Sequence, residues 1–461
     1  MNTPKFSIRN YTAIFATLLV LVMTVLDVTL VNVALPVMAE NFGVTDSQSV
    51  WIITIYQLVI TMMLLPVSSY GDRTSYRRCF LVGVAIFTVS SALCAASQSF
   101  ITIVAARALQ GIGAACVMGV NIALVRLIYP RNVLGRGLAL NAMVIAIATA
   151  AGPTIAGALL SIASWHWLFL INVPFGIIAF FIGKRLLPHN PPHKSEGRFD
   201  WVSCIGNLVV FGLIFLAIGN ITRTDNKLII AGMLVAGATV GVFYVRRQLR
   251  RTQPMLPVDL LKIKLYTLSI STSVSSFIAQ SIAMIALPFL FIGNYGFSEI
   301  TTGLLMTPWP LATMIVSPIA ARFIEKHNPG ITASCGMLVY SIGLLLLLFA
   351  PHAEMSAWNI AWRMAVCGMG FGMFQTPNNI VMVIATPIER TGGAGGLQST
   401  ARLVGQTLGA TLVSVIFALT ASDTGSAYVC LWVALAFAIV AGLFSISRTG
   451  GINTSRKSAN I

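Results

Sequence analysis

The chain has 461 residues, of which 57% are hydrophobic and only 9% charged, and its mean hydropathy is +0.86. A soluble domain carries roughly 25% charged residues, so this chain cannot cover a water-facing surface and is expected to lie in a membrane. The net charge of +16 raises the question of nucleic acid, but its distribution along the chain argues for membrane topology instead.

Apolar runs of about 20 residues predict fourteen spans, near 11–36, 50–70, 79–98, 101–128, 135–164, 166–187, 201–221, 228–246, 265–292, 298–320, 331–350, 358–386, 393–421 and 424–447. With a cytoplasmic N-terminus, the even-numbered turns and both termini hold most of the 29 Lys and Arg residues. These include Arg77, Arg78, Arg131, Arg136, Lys184, Arg185, Arg246, Arg247, Arg250, Arg251, Lys262 and Lys264. The odd-numbered turns hold only Arg223 and Lys227 beside several acids. By the positive-inside rule, both termini are expected in the cytoplasm.

Three blocks follow. Residues 1–187 form six predicted helices, 188–260 hold two helices between polar linkers, and 261–461 form six more with a tail. Prolines and charges make the linker 189–200 the most loop-like stretch. A weak internal echo relates the outer blocks: Arg107 with Gly111 and Gly113 against Arg363 with Gly368 and Gly370, and Asp72-Arg73 against Glu325-Lys326. Repeated halves suit a transporter that rocks one bundle against another around a central site.

In the first span stands Asp27, the one acid placed inside a predicted helix. A carboxyl there is costly unless it faces a bundle interior or a wet cavity, which points to a proton or cation role. The structural alternative is a carboxylate fixed by an arginine of a neighbouring helix. Arg107 in the fourth span is the first of three intramembrane cations, followed by Arg363 and Arg402, for which a structural or conformational role is expected; the five donors of Arg107 could pin an acid or polarise a proton site. Gly152-Pro153 in the fifth span is a candidate flex point. Polar and aromatic residues that could line a cavity are Trp51, Tyr56, Gln57, Asn121, Asn141, Gln280, Trp309, Gln375, Asn378, Asn379 and Gln398. Interhelical hydrogen bonding is the plainer role for any single one. As a set with one acid, they suit a large, weakly hydrated cation.

The seven cysteines are scattered without a CxxC pair and read as buried small residues, with no metal site implied. GxGxG at 368–372 and GGAGG at 392–396 follow no strand, so close helix packing explains them better than nucleotide binding. The first apolar run is too long for a signal peptide and should stay as a helix.

These residues also carry a resemblance. Over nearly its whole length the chain resembles the fourteen-span drug:proton antiporter branch of the major facilitator superfamily. Leu26–Pro36 looks like that branch's opening signature, whose acid, here Asp27, is linked to cation recognition and proton exchange. Ser68–Arg78 resembles the loop after the second span, with Asp72, Arg73, Arg77 and Arg78 kept and Ser68 and Ser75 in place of the usual glycines. Arg107–Ala115 is similar to the fourth-span motif whose arginine is tied to proton transfer. Ala150–Gly157 resembles the antiporter motif, with Gly152, Pro153 and Gly157 kept and Ala156 where glycine is usual. Ser164–Gly176 is the most branch-specific match, with His166 replacing the usual basic residue.

The resemblance implies a major facilitator fold of two six-helix bundles plus two extra helices. It implies a bacterial inner-membrane protein, monomeric, with no cofactor beyond the proton gradient and no nucleic-acid partner. The expected activity is export of lipophilic cations, such as quaternary ammonium compounds and dyes, against inward proton flow. Asp27 would carry the proton or meet the cation, Arg107 would tune it, and Asp72 with Arg73, Arg77 and Arg78 would latch the cytoplasmic side. Alternatives are export of an endogenous metabolite or a non-transporting sensor. A membrane enzyme would need clustered acids or histidines that the spans lack.

Overall fold

The structure, a computed structural model, describes residues 8–130, 133–190, 199–222, 226–251, 254–324, 327–350, 356–387, 390–420 and 425–448. Arg131, Arg223, the Glu325-Lys326 pair and linker positions 191–198, all used above, lie outside the described residues. Every regular element described is helical.

The first group comprises α1 (Ile8–Phe42), α2 (Asp46–Ser49), α3 (Trp51–Arg73), α4 (Tyr76–Ala95), α5 (Phe100–Ile128), α6 (Leu134–Ile162), α7 (His166–Leu170) and α8 (Asn172–Leu186). Next come α9 (Trp201–Gly219) and α10 (Lys227–Leu249). The last group comprises α11 (Lys264–Phe289), α12 (Glu299–Met306), α13 (Pro308–Phe323), α14 (Pro329–Leu348), α15 (Ala357–Ile384), α16 (Thr391–Leu419) and α17 (Ser426–Ser447). Among the described residues, thirteen helical segments are long and apolar enough to cross a membrane. The remaining expected span, α15, is helical over 28 residues, but Arg363, Gln375, Asn378 and Asn379 dilute its apolar character. Two expected spans are divided: 166–187 into α7 and α8, and 298–320 into α12 and α13, where Pro308 begins the second piece.

Local chemistry sets the helix ends. Gly43 adopts φ 61° after α1, which lets its N–H reach the Glu40 carbonyl at 3.1 Å and the Val44 N–H reach Ala39 at 3.0 Å. That is the left-handed glycine stop. Two residues later Thr45 caps α2, with Gln48 returning the bond to the Thr45 backbone. Ser99 and Thr102 do the same for α5.

Lipid offers no hydrophobic drive between helices, so small residues and interhelical bonds must hold them. Gly113 of α5 shows it: a Cβ there would sit 2.5 Å from the Phe87 nitrogen of α4. In the last group Gly370 of α15 is pressed in the same way against Tyr340 of α14. The glycine pattern at 368–372 is therefore a packing surface. Six cysteines are buried as expected, whereas Cys335 is exposed on the outer face of α14.

Helices α1, α3, α4, α5, α6 and α8 pack on one another, and so do α11 and α13 to α17. The two sets meet where α6 lies on α12 and α13, where α2 and α3 lie on α16, and where α1 lies on α11. The α9–α10 hairpin rests on α3 and α16. Asn207 of α9 fixes it by donating to the Met62 carbonyl at 2.7 Å.

Candidate functional site

A buried polar network joins α1, α3, α4 and α5. The Asp27 and Arg107 side chains are both 0% exposed and form an ion pair through Arg107 Nη1 and Asp27 Oδ2. Gln110, one turn after Arg107, donates from Nε2 to the other Asp27 oxygen at 2.8 Å and to the Ser91 hydroxyl at 2.9 Å. Arg107 Nη1 also donates to Gln110 Oε1 at 2.6 Å, and its Nε donates to the Ile52 carbonyl at 3.1 Å. The guanidinium lies 4.0 Å over the Tyr56 ring and 5.6 Å from that of Phe169.

The backbone makes this reach feasible. Gly111 sits where a Cβ would be 2.9 Å from the Tyr56 carbonyl, so α3 and α5 approach closely enough for Arg107 to bond Ile52. Asp27 is thus held by an arginine of a neighbouring helix, the structural alternative weighed from the sequence. Removing one partner of such a pair leaves an uncompensated buried charge. Both Asp27 oxygens already accept bonds, and the side chain is fully enclosed.

Two residues along α1, Thr29 lies directly against Gly152 of α6; a Cβ at Gly152 would collide with the threonine hydroxyl. The motif's other glycine, Gly157, faces α12, where a Cβ would stand 2.5 Å from the Glu299 carbonyl. Gly303 of α12 in turn fits beneath the Pro153 carbonyl. The Thr154 and Thr307 hydroxyls bond across the seam at 2.6 Å. Gly152, Pro153 and Gly157 therefore seal α6 to its neighbours. Ser47 and Ser414 bond at the same end, and Thr61 with Thr407 at 3.1 Å extends the α3–α16 contact inward.

At the opposite end, near Asp72, lies a cleft of about 560 Å³. Its polar lining includes Ser68, Asp72, Asn121, Arg126, Asn141 and Arg402, and its walls include Leu21, Leu64, Met118 and Ile145. Asn121 donates to Asn141 at 3.3 Å. Asp72 accepts from the Tyr76 hydroxyl at 2.7 Å. Arg77 bonds the Lys184 carbonyl and lies 2.6 Å from a His189 ring nitrogen, tying the α3–α4 turn to the end of α8. Asp72 and the Gly395, Gly396 and Ser399 stretch of α16 line one cleft.

Of the cavity candidates, Asn121 and Asn141 reach this cleft. Trp51, Tyr56, Gln57, Gln280, Trp309, Gln375, Asn378, Asn379 and Gln398 are not among its lining residues. Trp51 packs against Gly219 of the α9 end, Tyr56 covers Arg107, and Trp309 packs on Tyr340 with ring centroids 5.4 Å apart. Asn378 donates to the Ser269 carbonyl at 3.3 Å and accepts from Arg448. Arg363 is buried with its guanidinium 5.2 Å from the Trp362 ring, away from Asp27's network.

Sequence reasoning missed three participants. Gln110 and Ser91 complete the Asp27 network; Gln110 was readable, because it follows Arg107 by three residues and must share its face. Arg448, 1% exposed, bonds Ser269 at 3.0 Å, Ser445 at 3.0 Å and Asn378. It lies just after the last helix, where a cation reads as a topology signal. Among the described residues no cluster of His, Cys, Asp or Glu is placed to hold a metal ion.

The model of the Major Facilitator Superfamily matches residues 17–410 and again 268–455, and the chain belongs to that superfamily. It is 45% identical over 437 residues to the uncharacterized transporter YebQ of Escherichia coli (strain K12), covering 95% of each chain. It is 29% identical to the riboflavin transporter RibZ of Clostridioides difficile (strain 630), covering 86% of each. It is 30% identical to the multidrug efflux pump LfrA of Mycolicibacterium smegmatis (strain ATCC 700084 / mc(2)155), covering 90% of this chain and 82% of that one. A crystal structure of a POT family transporter in complex with a thioalcohol-conjugated peptide shares the fold, with a TM-score of 0.70 at 18% identity over 95% of this chain and 96% of that one.

Proposed function

We propose that this membrane transporter is a proton-coupled antiporter that exports lipophilic, drug-sized compounds, with cations such as quaternary ammonium compounds and dyes among them. The observation that carries the reading is the buried Asp27–Arg107–Gln110 network at the junction of α1, α4 and α5. A carboxylate and a guanidinium enclosed together have two arrangements, paired or parted by a proton on the acid. Exchange between them is a natural way to link proton binding to helix movement. Similarity to a multidrug efflux pump supports the drug-export reading.

In this account the fourteen long helices all cross a bacterial inner membrane, both termini are cytoplasmic, and the monomer is the working unit. Residues 1–187 and 261–461 form two six-helix bundles, and 188–260 supply two additional helices. The Asp72 end is cytoplasmic, so the arrangement described, with a cleft at that end and a seal at the Ser47 end, is the one that admits cargo from inside. Asp72, Arg73, Arg77 and Arg78 latch that side in the opposite state. Inward proton flow supplies about 2.3 kcal/mol per 100 mV for each charge moved.

A second reading, export of an endogenous metabolite, is favoured by the cleft itself, where two arginines outnumber one aspartate. Similarity to a riboflavin transporter points the same way. Efflux of a compound panel from a host lacking its own pumps decides between them. Broad protection against dyes and antiseptics supports drug export, and efflux confined to one metabolite class supports the second. Proton release on adding substrate to the protein in liposomes separates either from a sensor.

A further inference from the structure

Arg402 of α16 is a half-buried cation on the cleft wall. It makes no hydrogen bond or ion pair with any described residue. Its neighbours on that wall do not supply a counter-charge. Asp72, the single acid among the described residues lining the cleft, already accepts the Tyr76 hydroxyl at 2.7 Å, and Arg126 adds a second positive group. A guanidinium presents five donors in a planar fork that matches a carboxylate or phosphate. Left unanswered inside a membrane helix, that charge is costly.

We propose that Arg402 is the docking point for an acidic group on the cargo, so that the cleft takes organic anions and zwitterions as well as the cations expected from the sequence. The rest of the cleft fits such a molecule. Leu21, Leu64, Met118 and Ile145 accept an apolar body, and the Asn121–Asn141 pair offers amide groups beside it. Its volume of about 560 Å³ lies within the range of drug-sized sites, roughly 300–1,000 Å³. Asp72 at the rim could meet a cationic group on the same molecule. The proposal rests on the reading that this cleft receives cargo, but not on proton coupling.

The test is equilibrium binding to the full chain in nanodiscs, with empty nanodiscs subtracted. Three probes share one aromatic body: pyrenebutyrate, its methyl ester, and the trimethylammonium analogue. The wild type should bind the acid about tenfold more tightly than the ester, a change typical of one charge-assisted contact. Arg402→Gln should remove that preference, and Arg402→Lys should keep part of it, while the ammonium probe binds the Gln variant at least as well as the wild type. The acid-against-ester comparison uses unmodified protein, so it stands even where a variant folds poorly. Equal binding of acid and ester to the wild type, or an unchanged acid preference in Arg402→Gln, would overturn the proposal. Loss of all three probes from the wild type would overturn the cleft as the cargo site, whereas failure of proton coupling alone would leave the anion contact intact.

Discussion

Ser47 and Ser414, 367 positions apart, exchange hydrogen bonds: the Ser47 hydroxyl donates to the Ser414 carbonyl at 2.7 Å, and the Ser414 hydroxyl donates to the Ser47 carbonyl at 2.8 Å. This reciprocal pair ties the start of the second span to α16 at the sealed end. The two hydroxyl oxygens are 3.3 Å apart, so cysteines placed there, with the exposed Cys335 replaced by serine, should oxidise to a disulfide. Export should then stop and return on reduction. Transport that continues at full rate through the crosslinked protein would show that this end need not open.

The seam between α6 and α12 depends on the absence of side chains. Gly303→Val would drive a methyl group into the Pro153 carbonyl, and overpacking of this kind costs about 1–3 kcal/mol. Lower thermal stability and a severalfold loss of export are expected. Gly293→Val, where nothing lies within 4 Å, should leave both unchanged. Equal behaviour of the two variants in a melting assay would remove the seal from the account.

Asp72 accepts Tyr76 in this conformation and lines the cleft opposite α16. If the carboxylate latches the other state through charge-assisted bonds, each is worth about 1–3 kcal/mol. Asp72→Asn should then slow turnover by about tenfold while leaving substrate affinity within a few-fold. Steady-state efflux against substrate concentration separates the two parameters. An affinity change without a turnover change would make Asp72 a cargo contact.

The α9–α10 hairpin carries a pH-sensitive fastening. Burial works against the charge of Asp200, but bonds from the Ser203 hydroxyl and backbone and from Arg247 outweigh it and hold the carboxyl at about 2, below the usual 3.8. Because the folded value is depressed, the stabilisation is fully present above pH 3.8 and is lost as pH falls through about 2. Asp200→Asn should therefore melt earlier than the wild type at neutral pH, and the gap should close in that acid window. A gap independent of pH would assign the effect to packing.

The fold was legible because membrane spans are written in composition. Most expected helices begin and end within a few residues of those found, and α1 departs most because its helix continues to the glycine stop at Gly43. The breaks at Ile171 and Thr307 went unread although Asn172 and Pro174 follow the first and Pro308 the second, because the apolar residues on either side carry hydropathy straight across them. Asp27 and Arg107 stood out as charges where charge is costly, yet the sequence could not say that they touch. That depends on how α1, α3 and α5 are rotated about their axes. Aromatic residues misled for the same reason: Tyr56 and Trp309 are rare and conspicuous, but each is packed inside its own helix group. Arg402 reads from the sequence as a structural or conformational cation, because only the assembled cleft shows what it faces.

The central claim is that the Asp27 carboxyl couples proton movement to export. Asp27→Asn keeps the size of the side chain and one acceptor oxygen but leaves Arg107 buried without its counter-charge, so the variant should melt earlier than the wild type, and only folded protein that still binds substrate is compared. The deciding measurement is efflux driven by an imposed pH gradient in liposomes holding purified wild type or Asp27→Asn. The account predicts that gradient-driven export disappears in the variant while substrate binding persists and loses its dependence on pH. Gradient-driven export at the wild-type rate would contradict it and place proton coupling elsewhere in the chain.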